Sequence, residues 1–323
     1  MSFFLGYTTA LSCLRTLNRA DDLKFTRAMP KPKTIPDARL FRRSIKALQP
    51  CFAEAIAHSG AVLVAPDAYS RCRSKELSSR VFSLPANQRC FLDLGSGFFI
   101  ASPELCFAQL AKEASPIELM KLGFELCGTY SLDPSKSHGF HNREALTTSE
   151  SIAKTLESLP GSCPKRARYA ARFLQDGSAS PMETCLALML GLPASLGGYG
   201  LGLPHMNTKV NIAEGQAQRT NYRRYHCDLY WPEQRVALEY NSREFHLNEK
   251  AAERDASRVN DLLGSGIKTV AITRGHIADP AKIDVVAKSL AALMGKRVRT
   301  TYTDMNERHA RLRKQLFAKD PWI

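Results

Sequence analysis

Two acids on neighbouring extended segments carry the chemistry that this chain can be read to perform. Asp228 and Glu239 both lie in the segment Cys227 to Asn241, CDLYWPEQRVALEYN. Asp228 is read near the end of an alternating strand, Arg224 to Trp231. Trp231-Pro232-Glu233-Gln234 supplies a turn, and Glu239 falls within the β-branched and apolar run Arg235 to Asn241. A hairpin of this kind brings two carboxylates to one end of a sheet. Such carboxylates repel each other, and a divalent cation relieves the repulsion. Mg²⁺ favours one or two carboxylates together with water and phosphate oxygens. A metal so held lowers the pKa of its water and polarises a phosphodiester. Mg²⁺ or Mn²⁺ is therefore the expected cofactor. A carboxylate within Val236-Ala237-Leu238-Glu239-Tyr240 is costly unless it is paired or metal-bound. The plainer alternative is an ion pair, for which Arg235, Arg243 and Arg258 are available.

The elements that must position these acids follow from periodicity and caps. Ser180-Pro181-Met182-Glu183 starts a helix through Leu190, with Glu183 at the capping-box position. A Gly-rich stretch, Gly197 to Gly202, lacks the Gly-Lys-Ser/Thr ending of a phosphate loop. Short strands are expected at Lys209–Ile212, Arg224–Trp231 and Arg235–Asn241. A polar helix is expected at Asn248–Leu263, a strand at Ile267–Thr273 and an amphipathic helix at Pro280–Met294. The order from 180 to 294 is helix, three strands as an antiparallel meander, a crossover helix, a fourth strand and a helix. A basic helix, Tyr302 to Phe317, follows.

The run Ser180-Pro181-Met182-Glu183, Cys227 to Pro232, Ala237 to Ser242, Phe245-His246, Arg254-Asp255 and Arg258 resembles a family of uncharacterised bacterial domains. That family is similar to the very-short-patch-repair (Vsr) endonucleases of the PD-(D/E)XK superfamily. The resemblance covers about residues 178–295. It implies a restriction-endonuclease-like αβββαβ core, with Asp228 and Glu239 as metal ligands. Glu183 would be the helix carboxylate that completes or supports the site, and His246 the histidine near the scissile phosphate. The chain departs from the pattern in two places. Asn241 stands where the superfamily has lysine, so it lacks the charge that would stabilise the transition state. Vsr enzymes themselves lack an acid at the position of Glu239. Lys250 and Arg258 are the cations on the next helix that would substitute for the lysine in space. The N-terminal half carries a fainter resemblance to AbiEi-type abortive-infection antitoxins, in its strand, Ser102-Pro103-Glu104 and helix pair.

The chain has 323 residues and a net charge of +14. An excess of Lys and Arg this large points to a polyanionic partner, with DNA favoured and RNA as the second option. Lys165, Arg166 and Arg168 on one basic helix, with Arg243, Lys250 and Arg258, are the expected phosphate contacts. No stretch of 18 or more apolar residues is present, so no membrane span is expected. The nine cysteines are scattered without a CxxC pair, which fits free thiols in the cytoplasm.

The expected class is α/β (α+β). A smaller mixed α/β N-terminal domain over 1–148 is expected to be nucleic-acid-binding or regulatory. A basic helical connector would span 149–177, the nuclease-like domain 178–297 and a basic helix 298–323. Within the first of these, Met1 to Leu14 reads as a buried or terminal helix rather than a signal peptide, and Asp37 to His58 as one helical stretch. A strand is read at Phe98–Ala101, with capped helices from Ser102 and Ser115, and polar turns over 130–148. Three readings follow. The first is a metal-dependent DNA endonuclease in phage defence or DNA repair. The second is a catalytically silent, antitoxin-like binding protein that keeps the fold. The third is a toxin–antitoxin component whose partner is a protein.

Overall fold

The structure, a computed structural model, describes residues 2–19, 24–26, 37–72, 74, 77–84, 90–159, 165–213, 222–241, 260–298 and 302–322. The chain divides into two compact units, Met1–Leu174 with Lys319–Ile323, and Gln175–Ala318. Both mix helix and sheet. The first unit is the larger, not the smaller as expected.

In the first unit β1 (Phe3–Leu5), β2 (Lys24–Thr26), β3 (Val62–Ala65), β4 (Ser78–Val81), β5 (Phe91–Gly95) and β6 (Phe98–Ala101) make one sheet. Its order is β2-β5-β6-β1-β3-β4. The chain start is therefore not all helix. Phe3 and Leu5 are fully buried, and β1 pairs parallel to β6 and antiparallel to β3. Gly6 separates this strand from helix α1 (Tyr7–Arg15). A Cβ at Gly6 would lie 2.5 Å from the Gln109 and Val64 side chains, so a larger residue does not fit.

The stretch 37–58 is two helices, α2 (Ala38–Ile45) and α3 (Pro50–Ser59), because Pro50 cannot continue a helix but can start one. Helix α4 (Pro103–Leu110) is capped by Ser102. Helix α5 (Pro116–Cys127) carries the Ser115/Glu118 capping box read from sequence. Helices α6 (Ser149–Ser158) and α7 (Lys165–Ala171) pack on α4 and α5 through buried Ile152, Leu156, Ala167 and Ala170. They belong to the first unit rather than to a separate connector.

Residues 130–148 are likewise part of the first unit. They form a hairpin of β7 (Tyr130–Leu132) and β8 (Phe140–Asn142). Buried Arg143 holds this segment in place. Its guanidinium donates to the carbonyls of Tyr130, Leu14 and Glu125 at 3.0, 3.1 and 2.9 Å. Arg15 grips Glu125 with two parallel hydrogen bonds, of 2.9 and 2.8 Å, and reaches Asp320 at 3.0 Å. Glu125 is 1% exposed. Burial opposes its charge, but the Arg15 guanidinium, Arg143 and the Leu132 amide outweigh that and hold its carboxyl below the usual range.

In the second unit helix α8 (Pro181–Gly191) precedes β9 (His205–Ala213), β10 (Tyr222–Trp231) and β11 (Val236–Asn241). Helical residues 260–264 then lead to β12 (Lys268–Thr273). Helices α9 (Arg274–Ala278), α10 (Pro280–Leu293) and α11 (Met305–Leu316) complete the unit. The sheet order is β12-β11-β10-β9. β9, β10 and β11 form an antiparallel meander, and β12 lies parallel to β11. The meander is as the hydrophobic pattern predicts, whereas most of the expected helix Asn248–Leu263 lies outside the described residues. Helix α8 is buried from Glu183 to Gly191, and α11 packs on it. Among the described residues no helix is long and apolar enough to cross a membrane. Most of the described cysteines are buried.

Removing the acid of the buried pair tests the first unit's framework. Glu125→Ala leaves Arg15 charged and buried, and lowers unfolding free energy by about 3–5 kcal/mol in denaturant titration. Because the folded-state pKa of Glu125 is depressed, its contribution is full above the unfolded value of 4.5. It is lost as pH falls through the folded value, so the acid flank of the stability profile is shallower in the variant.

Candidate functional site

Glu183 sits at the start of α8 because Ser180 caps that helix and Pro181 occupies its first turn. The Ser180 hydroxyl accepts the Glu183 amide at 3.2 Å and donates to Glu183 Oε1 at 2.8 Å. Glu183 Oε2 accepts the Ala179 amide at 3.0 Å and Asn207 Nδ2 at 2.6 Å. The Asn207 amide also donates to Gly177 O at 3.0 Å. The helix acid is thus both a capping residue and a tie to strand β9. Burial pushes its carboxyl pKa up, its donors push it down, and the charge of Asp228 pushes it up again, with a net rise. The last of these effects places Asp228 within electrostatic reach of Glu183.

Asp228 lies within β10, three residues before its end. The β10–β11 register runs Trp231↔Val236, Tyr230↔Ala237 and Leu229↔Leu238. One further step sets Asp228 opposite Glu239. There the ladder changes character, because Asp228 Oδ2 accepts the Tyr240 amide at 2.7 Å. On the other side the β9–β10 register passes from Cys227↔Thr208 to Leu229↔Met206, skipping Asn207 and Asp228. Asn207 has φ +45°, in the left-handed region that Asn tolerates better than most residues. The Asp228 carboxylate therefore crosses to the backbone of β11, at the residue after Glu239.

Glu239 itself is 9% exposed, between Leu238 and half-buried Tyr240. Asn241 is exposed at the end of β11 and pairs with Thr273 on β12. His246, Arg243, Lys250, Asp255 and Arg258 lie outside the described residues.

The structure thus ties Glu183 through Asn207 to strand β9, which pairs with the strand of Asp228, and joins the Asp228 carboxylate to the strand that carries Glu239. Sequence reasoning missed Asn207, since the strand was expected to begin only at Lys209. The signal would have been its residue type, because Asn is enriched at positive φ. It also missed Lys209 and His226, an exposed cross-strand pair two residues along from Asn207.

Mg²⁺ asks for one or two carboxylates with waters and phosphate oxygens, a demand that Asp228 and Glu239 meet by residue type. The Tyr240 amide uses one of the roughly four acceptor positions of the Asp228 carboxylate. Among the described residues no group of three or more His, Cys, Asp or Glu is arranged to hold a metal ion.

Most of the expected phosphate contacts that are described have internal partners. Lys165 is exposed. Arg166 donates to Ala114 O at 2.7 Å and Arg168 to Leu156 O at 3.4 Å. On α11, Arg308 is engaged with Asp304 and Ser195 O, whereas Arg311 and Lys314 are exposed.

Comparison with protein-family models, curated proteins and solved structures gave no significant match.

The Asn207 bridge can be separated from its backbone strain. Asn207→Gly removes only the hydrogen bonds, while Asn207→Ala adds about 1–2 kcal/mol for the left-handed backbone. The alanine variant is the less stable of the two in thermal melts. Glu183 tests the pH linkage. Its raised folded-state pKa means that its contribution is full below the unfolded value of 4.5 and declines as pH rises through the folded value. Glu183→Gln flattens that decline in a stability–pH titration.

Proposed function

We propose that the second unit is a metal-dependent nuclease domain of the restriction-endonuclease type acting on DNA. Asp228 and Glu239 hold the metal, and Glu183 supports Asp228 from α8. The observation that carries this reading is the placement of Asp228. Its carboxylate crosses from β10 to the β11 backbone beside Glu239, in electrostatic reach of Glu183. The element order α8-β9-β10-β11, helical residues 260–264 and β12 supports it, since αβββαβ is the order the resemblance implies.

Bound Mg²⁺ or Mn²⁺ would supply an activated water and positive charge at the phosphodiester. The chain's residues do the positioning. The Tyr240 amide fixes the rotamer of Asp228, and Asn207 with Ser180 and Ala179 fixes Glu183. His246 is assigned the role of handling a proton near the scissile phosphate. Arg243, Lys250 and Arg258 are assigned to phosphate contacts, with exposed Lys209 added to them. The net charge of +14 supports a polyanionic substrate. Phage defence or DNA repair in the cytoplasm is the setting such an activity fits.

One observation favours a second reading, a silent binding protein that keeps the fold. Asn241, exposed at the end of β11, brings no charge to the place where the superfamily has lysine. The two readings part on cleavage. The purified full-length chain nicks supercoiled plasmid with millimolar Mg²⁺ or Mn²⁺ and not with EDTA. Asp228→Ala and Glu239→Gln each cut the rate about 10²–10³-fold, the scale of a lost charge-stabilising group. Gel-shift affinity is retained in both. Nicking that survives Asp228→Ala overturns the nuclease assignment, and salt-sensitive binding without any nicking establishes the second reading.

A further inference from the structure

A recess of about 590 Å³ in the second unit is built by α8, α10, α11 and the turn that carries Tyr199. This is the size of sites that take drug-sized molecules, roughly 300–1,000 Å³. Met189, Ile283 and Phe317 give it apolar walls. Phe317 is 41% exposed, an apolar ring left open to solvent.

Two rings of the lining are pinned in advance. Tyr199 and His309 stack with centroids 4.4 Å apart and an interplanar angle of 23°. The Tyr199 hydroxyl donates to Asp284 Oδ1 at 2.9 Å. His309 Nδ1 lies 2.8 Å from Gly197 O. A carbonyl oxygen only accepts, so Nδ1 carries the proton. Asp284 is also balanced by Lys288 Nζ at 3.0 Å, so its charge is already committed.

The cations of the lining are less fully used. Arg313 donates one amino group, Nη2, to Ala278 O at 3.0 Å, and its guanidinium lies 5.1 Å from the Phe317 ring centroid. Its other amino group, Nη1, is buried with no hydrogen-bond partner among the described residues. Lys314 adds a second positive charge to the same wall.

We infer that this recess is a binding site for a small organic anion with a flat apolar body, of the aryl carboxylate class. The carboxylate meets the positive charges of Arg313 and Lys314, and the ring system lies among Met189, Ile283, Phe317 and the Tyr199–His309 stack. The inference does not rest on the nuclease reading, because it shares none of the Asp228, Glu239 and Glu183 residues.

The test is isothermal titration of the full-length protein with 2-naphthoate and with its neutral counterpart, 2-naphthalenemethanol. One saturable site per chain is expected for 2-naphthoate below millimolar concentration. The alcohol binds the wild type about tenfold more weakly, and Arg313→Met weakens 2-naphthoate by about the same factor, one hydrogen bond to a charged group. Ala281→Trp, an exposed residue at the recess, abolishes binding with the core untouched. Circular dichroism confirms that each variant folds, and if Arg313→Met does not, Ala281→Trp still decides. Acid and alcohol binding alike, unchanged affinity in Ala281→Trp, or no saturable heat with 2-naphthoate at millimolar concentration overturns the inference.

Discussion

The second unit depends on how a sheet accommodates a carboxylate in its middle. Asp228 takes the Tyr240 amide that a main-chain carbonyl would otherwise accept in the β10–β11 ladder. The neighbouring strand responds at the facing position, where Asn207 turns to positive φ. Asn207 in turn ties Glu183 and the loop before α8 to the sheet. One side-chain hydrogen bond is thus coupled to a backbone irregularity and to the placement of a helix. Unpaired polar groups are too costly to bury, so these three accommodations belong together.

The first unit solves the same electrostatic problem differently. Glu125 is as deeply buried as any acid described, and a bidentate Arg15 pairs it. Arg143 spends its donors on carbonyls around the same point. Buried pairs of this kind fix geometry more than they add net stability. Here the pair joins α1, α5 and Asp320 within one unit. In the second unit Glu183 is held by amide and hydroxyl groups, and Asp228 accepts a backbone amide.

Much of the second unit's architecture was legible in the residues. The apolar run Val236–Leu238, the alternation before Trp231 and the run Ile267–Thr273 each reported a strand, and their order implied the meander, while the parallel pairing of the fourth strand with β11 came from the structure. Ser102, Ser115 and Ser180 marked helix starts for a local reason, since a cap involves residues three apart. The first unit was less legible. Phe3-Phe4-Leu5 is too short to show a period and is fixed as a strand only by β3 and β6. The hairpin over 130–142 read only as polar turns, because the carbonyl partners of Arg143 that fix it include one from a segment far away in the chain.

The sequence by itself determined which residues are acidic, which segments alternate and where helices begin, because those properties depend on neighbours a few positions apart. Only the tertiary structure decided that Asp228 reaches across to Tyr240, that Asn207 bridges to Glu183, and that Glu125 rather than a linker organises the region around Arg143. Each of these is a contact between residues far apart in the chain. Its partner is selected by strand register and by the cost of burying an unsatisfied charge, and neither is written in local periodicity.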